Sequence, residues 1–197
     1  MTVRLNKQSL ISLLATAVLL SASAASFAAK QLNLAQSSLH FMSTKNEHIT
    51  EQHTFKTFSG AIEDNGQLNI KIDLSSVETI IPIRNQRMRE LLFDVASFPN
   101  ATFSAKVDPS LLNLEAGQLE TTSVTGQLTL KDKTQDVTLD LVLVGLKGNA
   151  VKASTAKPIV LNTQSLGVQE GIDALQSVAM LKSISKTVPV TFSIVFE

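Results

Sequence analysis

The residues of this 197-residue chain best suited to chemistry are three histidines, a scatter of carboxylates and a group of arginines. The string "HITEQH", His48 to His53, comes nearest to a metal motif and falls one residue short of the inverted zincin pattern His-x-x-Glu-His. It sits in a segment that alternates like a strand, where His48 and His53 point to opposite faces, and His40 is remote in sequence. Surface or half-buried histidines are therefore expected, with no metal site. Carboxylates such as Asp73, Glu78, Glu90 and Asp94 are dispersed, and nothing marks two of them as an acid–base pair. No glycine-rich phosphate loop or nucleophile elbow follows residue 28. With no cysteine, thiol catalysis and disulfides are both excluded. Neither a catalytic residue nor a cofactor is assigned. Asn100 in "NAT" satisfies a glycosylation sequon, but directly after Phe-Pro it reads as a turn into a strand.

Two residue groups leave alternatives open. Arg84 and Arg87 are three apart and share a face if "RNQRMRELLFDVAS" is helical. There they either receive an anionic head group, or Arg87 forms a surface pair with Glu90. The phenylalanines at 55, 58, 93, 98, 103 and 192 either line a cavity or fill a core, because alternation says only which face is dry.

The elements that must position these residues are mainly strands. "QLNIKIDL" puts Leu68, Ile70, Ile72 and Leu74 on one face, and "ATFSAKV" does so with Ala101, Phe103, Ala105 and Val107. "VTLDLVLVG" aligns Val137, Leu139, Leu141 and Leu143, and "VPVTFSIVFE" aligns Val188, Val190, Phe192, Ile194 and Phe196. "LNLAQSSLHFMS", "HITEQHTFKTFSGAIE", "VTGQLTL" and "VKASTAKPIVL" complete about eight strand candidates joined by short turns. Such a series folds as an antiparallel up-and-down sheet, and about eight strands suffice to close it into a barrel. Two helical stripes interrupt the alternation. Met88, Leu91, Leu92 and Val95 form one, ended by Pro99; Ile172, Leu175, Val178, Ala179 and Leu181 form the other, after Gly171.

Residues 1–28 read as a cleaved secretory signal, leaving residues 29–197 as one domain. Arg4 and Lys7 make a basic start, Leu10 to Leu20 an apolar stretch, and Ser26 and Ala28 the small residues before a cut. The apolar stretch is too short to span a membrane, and no cysteine follows to carry a lipid, so no stable membrane anchor is expected. Export places the protein in the periplasm of a Gram-negative source. Lysine plus arginine total 17 against 17 acidic residues, and the near-neutral balance gives no electrostatic case for nucleic acid.

The order of motifs resembles the YceI-like family of exported bacterial proteins. "IDLSSVET" matches that family's strand end, and Arg84, Asn85, Met88, Arg89, Leu92, Phe93 and Asp94 match its R-D-x-x-L/M-R-x-x-x-F-F-D/E segment. Phe98, Pro99, Ala101, Thr102 and Phe103 match its aromatic-Pro-x-A/I-T-F signature. Gly60 matches the glycine after its second strand, and Val124, Gly126, Leu128, Thr129 and Leu130 match V-x-G-x-L-T-l. Asn85 departs from the family's Arg-Asp pair. Lys131-Asp132-Lys133 departs from its His-Gly-Val, so that Asp132 is expected at a left-handed turn position otherwise held by glycine.

The resemblance implies an all-β fold, a closed antiparallel lipocalin-like barrel of about eight strands with two short helices. It also implies a long apolar channel for a polyisoprenoid, an isoprenoid quinone or another long-chain lipid. On strand parity the lining is expected from Phe55, Phe58, Ile70, Ile72, Phe103 and Leu128. Leu139, Leu141 and Phe192 continue the wall, while Met88, Leu92, Phe93, Phe98 and Leu175 come from the helices and their flanks. Arg84 and Arg87 are the head-group candidates. The alternative is a non-carrier stress or interaction protein that uses the barrel as a scaffold, as a homodimer.

Overall fold

From Lys30 onward the alternation resolves into strands in a computed structural model that describes residues 29–197. The signal segment expected over residues 1–28 lies outside the described residues. The strands are β1 (Lys30–Gln31), β2 (Ser38–Lys45), β3 (Ile49–Phe55), β4 (Phe58–Ile62), β5 (Gln67–Asp73) and β6 (Val77–Glu78). Then follow β7 (Asn100–Lys106), β8 (Leu119–Leu130), β9 (Lys133–Gly145), β10 (Val151–Thr155), β11 (Ile159–Asn162) and β12 (Thr187–Phe196). All belong to one antiparallel sheet.

Several short strands are halves of long, bent ones. β3 runs through Lys56 and Thr57 into β4 while β5 runs through Leu74–Ser76 into β6, and the two halves pair with each other on both sides of the bend. Across the bend the Lys56 N–H donates to the Ser76 carbonyl (3.1 Å) and the Asp73 N–H to the Thr57 carbonyl (3.0 Å). β10 and β11 likewise meet β12 in sequence, parted where Lys157-Pro158 interrupts the ladder. The long strands then run β2, β3/β4, β5/β6, β7, β8, β9, β10/β11, β12, and β12 pairs β2 again. The sheet curls into a barrel and leaves no long edge unpaired.

One end is floored by the connection between β7 and β8, whose Leu112 and Leu114 are buried in the same apolar cluster as Phe58, Ile62, Leu143 and Phe196. The other end carries the helices. Helix α1 (Pro82–Arg87) starts at a proline, which suits the first helical turn, and passes without a break into a π-helical segment, Met88–Phe93. The wider π turn corrects the expected stripe: Met88, Leu92 and Phe93 face inward, whereas Leu91 is turned out and 39% exposed. Helix α2 (Gln169–Val178) includes Gly171 rather than following it. A Cβ there would meet the Leu91 carbonyl oxygen and Leu92 Cα, each at 2.7 Å, so glycine is what lets α2 lie on the π segment. Ile172 is buried, Leu175 is half-buried, and Val178 emerges into solvent. At the β8–β9 hairpin the left-handed residue is Lys131 (φ 54°), not Asp132, because the two-residue turn places its positive φ at the first position.

The departure at Asn85 has a structural reason. Its buried side-chain oxygen accepts from the Thr79 N–H (2.8 Å) and the Thr79 hydroxyl (2.5 Å), and its amide nitrogen donates to Glu78 Oε1 (2.9 Å). Glu78 also accepts from the Ile80 N–H (2.6 Å) and from Lys56 (2.6 Å). These bonds, led by the one from Lys56, hold the Glu78 carboxyl down at about 2. The same network fixes Ile80, a β-branched residue, in the left-handed region (φ 69°).

Asn85→Asp puts a second carboxylate against Glu78 in a buried position, and we expect a loss of about 2–4 kcal/mol in denaturant unfolding. Combining it with Glu78→Gln should recover most of that loss, since the repulsion then has no partner.

Candidate functional site

Along β5, β7, β8, β9 and β12 every second side chain points to the barrel axis, and there the side chains do not meet. They surround a cavity of about 550 Å³. Thirteen of the apolar residues expected from sequence lie on its wall: Phe55, Phe58, Ile70, Ile72, Phe103, Leu128, Leu139, Leu141 and Phe192 from strands, and Met88, Leu92, Phe93 and Leu175 from the helical layer. Phe98 does not. It lies outside the cavity, half-buried beneath Lys131, whose Nζ sits 5.6 Å from the ring centroid, because the left-handed Asp94 turns the chain away after the π segment. Gly126, which faces inward on β8, is required by packing: a Cβ there would overlap the Phe103 ring and the Ser104 carbonyl. The small inward residues Ala101 and Ala153 also line the cavity and widen it.

The wall is not uniformly apolar. On β2 the lining runs from Leu39 and Phe41 to Ser43 and Lys45, and on β3 from Phe55 to His53 and Glu51. At about 3.4 Å per residue, Leu39 and Lys45 stand roughly 20 Å apart along the strand. Polarity therefore rises toward one mouth, rimmed by Ile81 just before α1, by Ile83, Arg84 and Arg87 from α1, and by Leu181, Ile184 and Ser185 ahead of β12. The flanking Ile80 and Met180 are 88% and 92% exposed, and both have positive φ.

At this mouth Glu51 Oε2 accepts from Lys45 (2.7 Å) and from Arg84 Nη1 (2.8 Å), while Arg84 Nη2 donates to the Thr79 carbonyl (2.7 Å). The two cations, with the Lys45 hydrogen bond the larger influence, hold the Glu51 carboxyl below the usual range. Arg84 and Arg87 both line the cavity, and Arg84 is the one built into a network.

His53 is the residue that sequence reasoning passed over. It is 4% exposed, its Nε2 is 2.8 Å from the Ser43 hydroxyl, and its ring lies against Phe41 (5.2 Å between centroids). Its Nδ1 and the Arg84 Nε are buried without a hydrogen-bond partner among the described residues. Burial pushes the imidazole down to about 4; nearby Arg84 and Lys45 add to this, and Glu51 opposes it. The sequence did hold a signal, since His53 shares parity with Phe55, whereas His48 lies in the exposed β2–β3 turn.

Comparison with known proteins bears on this geometry. A family described as YceI-like domain matches residues 30–196. The protein named YceI from Salmonella arizonae is 35% identical over 99 residues, covering 47% of this chain and 48% of its own, so the chain spans about half the length of the curated relatives it matches. A solved polyisoprenoid binding domain from Saccharophagus degradans, implicated in plant cell wall breakdown, superimposes with a TM-score of 0.83 at 32% identity. That match covers 86% of this chain and 98% of that one. BcnA from Burkholderia cenocepacia shares the fold, with a TM-score of 0.60 at 20% identity over 83% of this chain and 98% of its own.

The lowered His53 value makes a stability prediction. Between about pH 6.5 and about pH 4 the unfolded imidazole takes a proton that the folded one refuses, so this contribution is intact above 6.5 and lost as pH falls through 4. The loss is on the order of 3 kcal/mol. Unfolding titrations should show it, and His53→Phe should flatten the slope in that window while leaving the carboxylate-driven fall at lower pH.

Proposed function

The chain belongs to the YceI-like domain family, and from that premise we propose that it binds a polyisoprenoid, an isoprenoid quinone or a similar long-chain lipid in the barrel interior, for transport or storage in the periplasm. The observation that carries the reading is the cavity of about 550 Å³, walled by Leu, Ile, Val and Phe side chains and polar only toward one mouth. Its volume is in the range that holds small ligands. An apolar chain leaving water for this interior is stabilised by about 0.8 kcal/mol per methylene, so several isoprene units bind without a strong polar contact. The tail lies along Ile70, Phe103, Leu139 and Phe192, and the head lies at the mouth beside Arg84 and Arg87. The protein acts as a binding protein rather than an enzyme, a reading supported by the Saccharophagus domain's binding role and by the family match.

Periplasmic action rests on the secretory pattern read in residues 1–28. Among the described residues no helix is long and apolar enough to cross a membrane. The competing reading, an interaction scaffold acting as a homodimer, would draw on the exposed Ile80, Ile81, Ile83, Val178 and Met180. These belong to or adjoin the segments that rim the cavity mouth, which favours a part in lipid entry.

The test is extraction of the protein, purified from its native envelope without detergent, into organic solvent. Mass spectrometry should find one long-chain lipid per protein. Lipid-free protein that also fails to take up any long-chain lipid offered to it would refute the assignment.

A further inference from the structure

The rim of the mouth is apolar and basic at once. Six of the ten large apolar side chains exposed among the described residues, Ile49, Ile80, Ile81, Ile83, Val178 and Met180, lie in three short segments around it. Those segments are tied together. The Ser185 N–H donates to the Thr44 carbonyl (2.8 Å) and the Lys182 N–H to Asn46 Oδ1 (2.9 Å), which holds residues 178–186 to the β2–β3 hairpin that carries Ile49. From the same hairpin Glu51 pairs with Arg84 and holds residues 80–89. Ile80 (φ 69°) and Met180 (φ 50°) stand 88% and 92% exposed, in a left-handed conformation that suits glycine or asparagine better. Burial offsets none of that strain in the isolated fold, whereas contact with an apolar phase outside the barrel would.

Charge says which apolar phase that is. Residues 80–89 carry Arg84, Arg87 and Arg89, residues 178–186 carry Lys182 and Lys186, and neither segment has a carboxylate, in a chain whose charges balance at 17 to 17. Of the bordering carboxylates, Glu51 is held by Lys45 and Arg84, and Glu78 by Lys56. Glu47 and Glu90 form no ion pair among the described residues, and neither do Arg87, Lys182 and Lys186. A second copy docked here about a twofold axis would set these cations against their own duplicates. A bilayer surface offers anionic head groups to the cations and acyl chains just beneath for the apolar side chains. We propose that this face seats the barrel mouth-down and reversibly on an anionic bilayer, with Ile80, Ile83 and Met180 entering the acyl boundary and Arg87, Lys182 and Lys186 among the head groups. A long-chain lipid then passes between bilayer and cavity without crossing water. The proposal rests on the lipid reading above for its purpose and adds the partner surface.

The test is co-sedimentation of the delipidated protein with vesicles of phosphatidylcholine alone, or with about a quarter phosphatidylglycerol. The protein should bind the anionic vesicles at least about tenfold more tightly, and lose that preference as salt approaches about 1 M. Ile80→Asn combined with Met180→Asn keeps the left-handed turns and removes the apolar tips. It should weaken vesicle binding at least about tenfold while farnesol uptake from solution stays within about twofold. Because the chain has no tryptophan, Met180→Trp adds a single reporter, whose emission should shift to the blue on anionic vesicles. Leu119→Trp, at an exposed site where β8 begins, should show no shift. Equal binding to both vesicles, unchanged binding by the asparagine pair, equal shifts at 119 and 180, or dimerisation abolished by the asparagine pair would each overturn the docking face. Farnesol uptake without vesicle binding overturns it and leaves the lipid reading intact. Vesicle binding without farnesol uptake upholds the docking face and counts against the lipid reading.

Discussion

Closure of the antiparallel ladder is the constraint on which the rest depends. Once β12 pairs with β2, every inward side chain of every strand is committed to the same interior. The side chains available are Leu, Ile, Val, Phe and Ala, because the chain contains neither Trp nor Tyr. With Ala101 and Ala153 among the inward positions, the wall stays thin in places and the axis stays open. Packing that would ordinarily drive such side chains together is opposed by the hydrogen-bonded ring, which cannot narrow without losing its register. An apolar void results, and its cost is removed when an apolar chain fills it.

The two ends of the barrel divide the remaining work. Leu112 and Leu114 seal the floor, whereas α1, the π segment and α2 cover the other end without filling it. Because β2 and β3 turn from Leu39 and Phe55 to Lys45 and Glu51, the interior has a direction, dry at depth and polar at one opening. The network of Glu78, Asn85 and Thr79 holds the start of α1 in place and thereby sets where Arg84 stands. A strained Ile80 is a consequence of that anchoring.

Strand parity made most of this readable in advance. Ile70, Phe103, Leu139 and Phe192 could be placed on the interior because a ladder without internal bulges keeps alternate residues on one face. Parity fails where the backbone leaves the strand, and there the reading failed too. The π turn left Leu91 of the expected helical stripe facing solvent, and the left-handed Asp94 carried Phe98 away from the cavity. At the β8–β9 hairpin, composition suggested Asp132 for the left-handed position, but the register gave it to Lys131. His53 was missed for a different reason: a polar residue on an inward face looks like a surface residue until Ser43, across the β2–β3 hairpin, and Arg84, remote in sequence, are known to be close.

A lipid channel with a defined direction is tested most directly by a diffraction structure of the protein as isolated from its native envelope. Continuous elongated density should run from beside His53 and Arg84 down to the floor at Leu114 and Phe196. An empty interior with Phe103, Leu139 and Phe192 collapsed onto one another across the axis would contradict it.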